Sequence, residues 1–285
     1  MTATTLTADL FAEPLTHHGE GPIWLRDRGL AVLDMLAGDI VLVSPDGAET
    51  ARHHIGPVVA ALRERSADGY VVGTERGFAL LRRDFSIEDE ITCWDDASVR
   101  MNDGAADPQG RFWCGSMAYD LTPSAGALWR LDPDRTVTEV VSDIGCSNGL
   151  AWTRDGTTAL YIDSGTGRVD RHDVAPDGSI ARREPFVDLT GQGFPDGLAV
   201  DAADGVWAAL YGRGRLLHFD RAGAQDAEVS LPVAQVTACC FGGDDYSRLF
   251  VTTSRHELSD PEPLAGAVFV VQPAIGGFAA PTFAG

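Results

Sequence analysis

One short phrase recurs along this chain of 285 residues and constrains its fold more than any other feature. It reads Glu-Gly-Pro-Ile-Trp at 20–24, Asn-Gly-Leu-Ala-Trp at 148–152 and Asp-Gly-Leu-Ala-Val at 196–200. The first position changes between Glu, Asn and Asp, and each of these side chains carries an oxygen. A repeat of this kind predicts one structural unit that delivers ligands from several directions to a common centre.

Alignment on this phrase divides the chain into six units. Their anchors are Glu20, Val58, Asn102, Asn148, Asp196 and Thr237. Neighbouring anchors lie 38 to 48 residues apart, a period typical of solenoids and propellers. Each unit contains short apolar runs separated by tight turns, among them Asp46-Gly47, Asp68-Gly69 and Asp177-Gly178. Asp-Gly between apolar runs predicts a β-hairpin, and no segment has the pattern of a long amphipathic helix.

Six units of about four short strands each predict an all-β protein, a six-bladed β-propeller. No Pro- or Ser-rich linker interrupts the chain, so we expect residues 1–285 to form a single domain. The first strand is expected to complete the last blade, which leaves few free strand edges. A two-domain β-sandwich is the alternative fold, and the even spacing of the anchors argues against it.

The composition excludes several classes of function. The net charge is −20, and so acidic a surface repels phosphate backbones and anionic lipids, which excludes nucleic acid and membranes as partners. All 22 basic residues are arginine, so no lysine is present for a Schiff base or a phosphate-binding loop.

The sequence also indicates a cellular compartment. No run approaches the ~20 apolar residues that span a bilayer, and residues 1–13 lack the pattern of a secretory signal. The five cysteines form no metal or disulfide pattern and are expected to be free thiols. We therefore expect a cytoplasmic protein, whose oligomeric state leaves no trace in the sequence.

In a propeller the innermost strand of each blade lines the central channel, so equivalent residues of different blades converge. Glu20, Asn148 and Asp196 are then expected to face one another. Two carboxylates and one amide oxygen are hard ligands that suit Ca²⁺, Mg²⁺ or Mn²⁺. Taken singly, Asp or Asn before Gly usually marks a turn, and the metal interpretation depends on all three sharing the register of the repeat.

A second candidate segment is Arg100-Met-Asn-Asp-Gly104, at the third anchor. The guanidinium of Arg100 and the amide of Asn102 can hydrogen-bond the hydroxyls or the carbonyl of a polar small molecule. The alternative is that Arg100 is a solvated loop residue and Asn102 a turn former.

Two other motifs carry less weight. Gly145-Cys-Ser-Asn-Gly149 matches the nucleophile elbow of serine hydrolases, but that elbow needs a strand-to-helix turn, which an all-β chain does not provide. His17 and His18 precede Glu20, but the remaining histidines show no ligand spacing. We therefore interpret this pair as strand or rim residues.

Several of these motifs together resemble one family over nearly the whole chain, that of regucalcin (senescence marker protein), gluconolactonase and luciferin-regenerating enzyme. The matching segments are 19–24, 100–104, 107–113, 115–117, 147–149, 195–197 and 239–243. The resemblance implies a six-bladed propeller that holds one divalent cation in its channel through Glu20, Asn148 and Asp196. That cation is Ca²⁺, Mg²⁺, Mn²⁺, Zn²⁺ or Fe²⁺, and its identity is left open.

Enzymes of the family hydrolyse sugar lactones to aldonic acids, so the resemblance implies a metal-dependent lactonase with a gluconolactone-like substrate. Its substrate contacts fall on Arg100, Asn102 and Asp120, where Asp120 replaces the usual glutamate and is one methylene shorter. We expect either Asp196 or a metal-bound hydroxide to activate the attacking water. The alternatives are another esterase or phosphotriesterase on the same site and a non-catalytic calcium-binding protein.

Overall fold

The structure, a computed structural model, describes residues 3–285 and consists of six β-sheets. Two short strands come first in the chain, β1 (Thr4–Thr7) and β2 (Asp9–Ala12). The first three blades contain β3 (Gly19–Leu25), β4 (Gly29–Asp34), β5 (Asp39–Val43) and β6 (Glu49–His54), then β7 (Ala61–Glu64), β8 (Tyr70–Gly73), β9 (Gly77–Leu81) and β10 (Ile87–Thr92), then β11 (Val99–Ala106), β12 (Phe112–Ala118), β13 (Gly126–Leu131) and β14 (Val137–Ile144). The last three contain β15 (Ser147–Trp152), β16 (Thr158–Asp163), β17 (Arg168–Val174) and β18 (Ile180–Asp188), then β19 (Phe194–Val200), β20 (Val206–Tyr211), β21 (Arg215–Phe219) and β22 (Gln225–Ser230), then β23 (Val236–Gly242), β24 (Arg248–Thr253) and β25 (Val268–Val271).

The six sheets close into a ring. From β3 onwards, neighbouring strands of each blade are antiparallel and follow chain order from the channel outwards. The first strands of the blades, β3, β7, β11, β15, β19 and β23, each contact the first strands of both neighbouring blades. The predicted all-β six-bladed propeller is therefore confirmed.

The N-terminal strands join the end of the chain to its beginning. β2 pairs with β25 and becomes the outermost strand of the sixth blade, so the second strand of the chain completes the last blade, where the first strand had been predicted to do so. β1 pairs in parallel with β22 and adds a fifth strand to the fifth blade, which the sequence did not predict.

The hydrophobic core lies between the blades. Six buried clusters each join one pair of neighbouring blades. Strand β4 shows how the sequence produces this arrangement: Leu30 and Val32 pack toward the sixth blade, whereas Ala31 and Leu33 pack toward the second. Because both faces of a blade pack on its neighbours, inner strands such as β4 are buried on both faces and continuously apolar, whereas outer strands such as β6 and β10 are polar and alternate in exposure.

The predicted Asp-Gly turns occur, but in two backbone forms. At Asp68-Gly69 both residues have positive φ, 92° and 83°, as the hairpin interpretation required. At 46–47, 155–156 and 177–178 only the glycine does. In these three turns only the glycine adopts the left-handed conformation, and the aspartate before it keeps a negative φ.

Helical structure within residues 3–285 is limited to two 3₁₀ helices of three residues, Met35–Ala37 and Ser164–Thr166. The described part of the chain thus contains no helix with the length and apolarity needed to cross a membrane.

A buried histidine links three strands of the fifth blade. His218 Nε2 lies 3.0 Å from Asp201 Oδ2, and its Nδ1 contacts Asp226 at 2.5 Å. Its ring packs on Trp207 with centroids 4.7 Å apart. Burial opposes the charged imidazolium, but the hydrogen bonds to both aspartates outweigh it and raise the pKa of His218 above 6.5.

We expect His218→Gln to make stability less dependent on pH. Because the folded-state pKa is raised, the charged histidine stabilises the fold fully below pH 6.5, and this stabilisation is lost as the pH rises through the folded-state pKa. The mutation should lower the free energy of unfolding by about 1.5–3 kcal/mol near pH 6 and by less at higher pH. Thermal unfolding between pH 5.5 and 9 measures it. His54→Gln is the control, because His54 pairs with Asp39 at 2.9 Å but is largely exposed. A pH-independent difference for His218→Gln would contradict the expectation.

Candidate active site

The first strands of the blades share one irregularity, which positions the anchor residues. The pairing between first and second strands slips at 20–23, 101–104, 147–150, 195–198 and 236–239. Such a bulge turns a side chain out of the regular alternation and is common beside active sites. Glu20, Asn102, Asn148, Asp196 and Thr237 all lie in these bulges, near the same end of the channel.

The glycine after an anchor allows the first strands to approach closely. A Cβ on Gly149 would lie 2.7 Å from Leu198 N and 2.9 Å from Asp196 O, in the next blade. A Cβ on Gly197 would lie 2.5 Å from Ala238 Cβ in the blade after that. Glycine at these positions therefore brings the side chains of neighbouring anchors together.

A chain of hydrogen bonds connects the third, fourth and fifth blades. Arg100 Nη1 donates to Asn102 Oδ1 at 2.5 Å, and Asn102 Nδ2 donates to Asn148 Oδ1 at 3.0 Å. Asn148 Nδ2 donates to Ser164 Oγ at 2.9 Å, and Ser164 Oγ donates to the carbonyl of Pro195 at 2.5 Å. Asn102 is thus bonded directly to the predicted metal ligand Asn148, and Arg100 is linked to that ligand through Asn102.

Two buried carboxylates complete this region. Burial raises the pKa of Glu20 to about 8, and the charge of Asp103 adds to the effect. The pKa of Asp196 is also raised, first by burial and then by the charges of Glu20 and Asp103. Neither Glu20 nor Asp196 has an ion-pair partner within 4.0 Å among residues 3–285. Two buried carboxyl groups without an adjacent ion-pair partner fit a bound cation, which would favour their ionised forms.

The donor chemistry also fits a hard divalent cation, since carboxylate and amide oxygens are the available ligands. Asn148 Oδ1 accepts one hydrogen bond and keeps a lone pair for a cation. Among the described residues no group of three His, Cys, Asp or Glu side chains is placed to hold a metal. The proposed set includes only two such residues, because its third donor is the asparagine.

Two charged residues deeper in the channel, Asp103 and Arg63, were not predicted from the sequence. Burial raises the pKa of Asp103 to about 6, and the charge of Arg63 opposes this shift. Arg63 Nη1 donates only to the carbonyl of Leu62, at 2.6 Å. The bulge at Asn102 explains Asp103, because it allows two consecutive residues to approach the channel. Nothing in the sequence indicated Arg63 as a channel residue, since the second blade has no bulge between β7 and β8.

Arg100 forms one wall of the channel mouth, together with residues that follow the second strands of the first and third blades. Its Nη1 lies 3.4 Å from Met35 Sδ, and its guanidinium lies 5.5 Å from the ring centre of Tyr119. The Tyr119 hydroxyl donates to Glu75 Oε1 at 2.8 Å. Arg100 Nε is buried and has no partner in the described chain. Because solvent does not reach Nε, a substrate oxygen can accept a hydrogen bond from it only after the surrounding side chains move.

Histidines lie at the mouth where β3 meets β24. His18 Nδ1 lies 2.8 Å from Ser254 Oγ, and the rings of His17 and His18 are 5.7 and 5.1 Å from that of His256. Burial, followed by the charge of Arg100, lowers the pKa of His18 to about 3, so its ring is neutral. The pair are therefore rim residues, as predicted.

The remaining candidates lie apart from these groups. Asp120 is on an exposed loop, where its Oδ1 accepts hydrogen bonds from Thr122 N at 3.0 Å and Thr122 Oγ1 at 2.7 Å. A sugar contact by Asp120 therefore stays a prediction. Ser147, the serine of the elbow-like motif, is buried on β15 and accepts a hydrogen bond from the Tyr161 hydroxyl at 2.7 Å. That position does not suit a nucleophile.

Comparison with known proteins places this geometry in a family. The sequence model of the SMP-30/Gluconolactonase/LRE-like region matches residues 18–255. The chain belongs to this family. Its members are gluconolactonase-like, and residues 18–255 include every anchor of the repeat and all the predicted site residues.

Curated relatives of the family match along nearly their whole length. YvrE of Bacillus subtilis (strain 168) is named as a proposed sugar lactone lactonase. It is 31% identical to this chain, and the match covers 94% of this chain and 95% of YvrE. Regucalcin of Xenopus laevis is 30% identical, with the same two coverages of 94% and 95%.

Solved structures of the family have the same fold. A calcium-binding protein, regucalcin, from Agrobacterium tumefaciens superposes with a TM-score of 0.92 at 26% identity and covers 99% of both chains. A luciferin-regenerating enzyme superposes with a TM-score of 0.86 at 27% identity, over 97% of this chain and 99% of its own.

Proposed function

We propose that the protein is a metal-dependent lactonase that hydrolyses a gluconolactone-like aldonolactone to its aldonic acid. The observation that carries the proposal is the 3.0 Å hydrogen bond between Asn102 and Asn148. It links the hydroxyl-binding pair to Asn148, a proposed ligand in the same kind of bulge as the buried carboxylates Glu20 and Asp196. Family membership and the relative YvrE support the same activity.

Each residue has a separate task in this proposal. A divalent cation held by Glu20, Asn148 and Asp196 would polarise the lactone carbonyl and keep the Asp196 carboxylate ionised. Asp196 accepts a proton from the attacking water at a carboxylate oxygen. Arg100 and Asn102 hold the sugar hydroxyls. Asp120 is proposed as a third contact, and its carboxylate must first leave Thr122.

The first experiment is a panel of aldonolactones offered to metal-stripped protein with Ca²⁺, Mg²⁺, Mn²⁺, Zn²⁺ or Fe²⁺ added singly. We expect turnover only with a cation. Aryl esters and phosphotriesters in the same panel test the alternative hydrolases. Preference for either class over every aldonolactone would overturn the assigned substrate.

We expect Arg100→Met to reduce kcat/KM for gluconolactone by about 10- to 100-fold, because a charged hydrogen-bond donor to the sugar is lost. For δ-valerolactone, which has no hydroxyls, the change should be small. Arg76→Met is the control, since Arg76 contacts neither Arg100 nor Asn102 and pairs at the rim with Glu75 and with the carbonyl of Asp95. An equal reduction of kcat/KM for both lactones would show that Arg100 does not bind the sugar hydroxyls.

A non-catalytic calcium-binding role is the second candidate, favoured by the description of the Agrobacterium regucalcin as a calcium-binding protein. It predicts tight Ca²⁺ binding, no turnover of any lactone and no effect of Arg100→Met. The hydroxyl-binding pair beside the carboxylates favours the lactonase, since a calcium buffer does not need it.

We also propose that the protein acts in the cytoplasm. All five cysteines are free thiols, including the neighbours Cys239 and Cys240. Free thiols persist where glutathione keeps them reduced.

A further inference from the structure

Large apolar side chains are exposed on two sides of the channel mouth. Phe194 is 66% exposed, Leu121 63% and Tyr119 44%, the highest values for large hydrophobic residues in the described chain. Single exposed apolar residues are ordinary on a protein surface, but a group at the entrance of a catalytic channel marks a binding site. This group is more unusual because the chain carries a net charge of −20.

Phe194 is placed by the same strand that carries the proposed base. It lies two residues before Asp196 on β19 and pairs across to Tyr211 on β20. The preceding Gly193 has φ of 142°, a conformation that side chains rarely adopt. Tyr211 lies close enough to Asp196 for that carboxylate to help raise the phenol pKa, after burial. Phe194 and Tyr211 therefore form one apolar side of the mouth.

A second side of the mouth is formed on the third blade by the loop after β12. The Tyr119 ring lies over Arg100, which contacts Asn102. Leu121 has φ of 60°, and its N–H donates to the carbonyl of Ala118 at 3.1 Å. A left-handed leucine costs on the order of 1 kcal/mol, and strain of this kind persists where it serves a function. Here it holds an apolar side chain in solvent beside the substrate-binding arginine.

A simple aldonolactone would leave these apolar side chains exposed to solvent, because its carbons carry hydroxyls. We propose that the substrate is a lactone with an apolar alkyl or aryl substituent, which lies between Tyr119 and Leu121 on one side and Phe194 and Tyr211 on the other. The inference rests on the proposed function and narrows its substrate class. Water adds across the acyl C–O bond of the ring, so the product is the hydroxy acid with its substituent retained.

The apolar mouth is tested with a series of γ-alkyl-γ-butyrolactones, from methyl to hexyl, on the metal-loaded protein. We expect kcat/KM to rise about 2- to 4-fold for each of the first added methylenes, since each buried CH₂ contributes at most ~0.8 kcal/mol. Phe194→Ala and Leu121→Ala should reduce this slope. The matched controls are Leu10→Ala and Ile87→Ala, which remove residues 41% and 38% exposed on outer strands of other blades. Their slopes should equal that of the wild type.

A binding measurement separates this inference from the proposed function. By titration calorimetry we expect hexyl β-D-glucoside to bind at least about 10-fold more tightly than methyl β-D-glucoside, and Phe194→Ala to abolish the difference. If gluconolactone is hydrolysed while the alkyl series is flat and the glucosides bind equally, the inference fails and the proposed function stands. If no lactone is hydrolysed, the proposed function fails, and with it the lactone as substrate, even if hexyl glucoside is preferred.

The other possible occupant of this surface is a second copy of the chain. Self-association of the wild type that Phe194→Ala removes, seen by analytical ultracentrifugation together with a flat alkyl series, would overturn the inference in favour of an interface.

Discussion

Asp196→Asn should lower kcat for gluconolactone by about 10³-fold, measured at a cation concentration that saturates the variant. The amide keeps an oxygen for the cation, as Asn148 does, but it cannot accept a proton from water. The experiment therefore removes the proposed base while retaining three oxygen donors. Metal content, measured by mass spectrometry, verifies that the site is loaded when the rate is recorded.

Glu20→Gln is the matched control for this variant. It removes the same charge from the same buried region, where burial and then the charge of Glu20 raise the pKa of Asp196. Both variants should bind the cation more weakly. At saturation we expect Glu20→Gln to lose at least about tenfold less activity than Asp196→Asn. Equal losses would mean that Asp196 acts only as a ligand and that the water is activated in another way.

Asp107→Ala should cause the largest loss of stability, about 3–5 kcal/mol, because it breaks a buried ion pair and leaves polar groups without partners. Asp107 is fully buried after β11. Its carboxylate accepts hydrogen bonds from Arg111 Nε at 2.5 Å and Trp113 Nε1 at 2.8 Å, and from the backbone N–H groups of Gln109 and Arg111. We expect Tm to fall by roughly 6–15 °C in a scanning calorimeter.

Asp155→Ala is the comparison, because Asp155 lies in the corresponding turn of the fourth blade but is exposed. Its Oδ1 accepts from Thr157 N at 3.1 Å and from the hydroxyls of Thr153 and Thr157. Water can replace these partners, so the change in Tm should be small. If Asp107→Ala unfolds within 2 °C of the wild type, the buried pair does not stabilise the blade as argued.

Much of the architecture could be predicted from the sequence, because a propeller repeats one local pattern. Glu20, Asn102, Asn148, Asp196 and Thr237 all lie on first strands, as the alignment implied. Val58 does not, since β7 begins only at Ala61. The anchor of the second blade carries no polar side chain and no bulge, so nothing in the local sequence specified its register.

The site was predictable where it depends on the repeat and not where it depends on loops. Asn102 and Asn148 meet because their blades are neighbours and their anchors are equivalent. Tyr119 and His256 reach the mouth from segments after second strands, whose length and course differ from blade to blade. Asp103 depends on a bulge, and a bulge has no reliable signature in a single sequence.

The two N-terminal strands also determine when the ring can be completed during synthesis. β1 finds its partner only in β22, and β2 only in β25, more than 200 residues later. On the ribosome these early residues must wait, with unpaired edges, until nearly the whole chain has emerged. Joining of the ring is therefore a late event in folding, and nascent chains that lack the sixth blade expose the strands most prone to pair with other molecules.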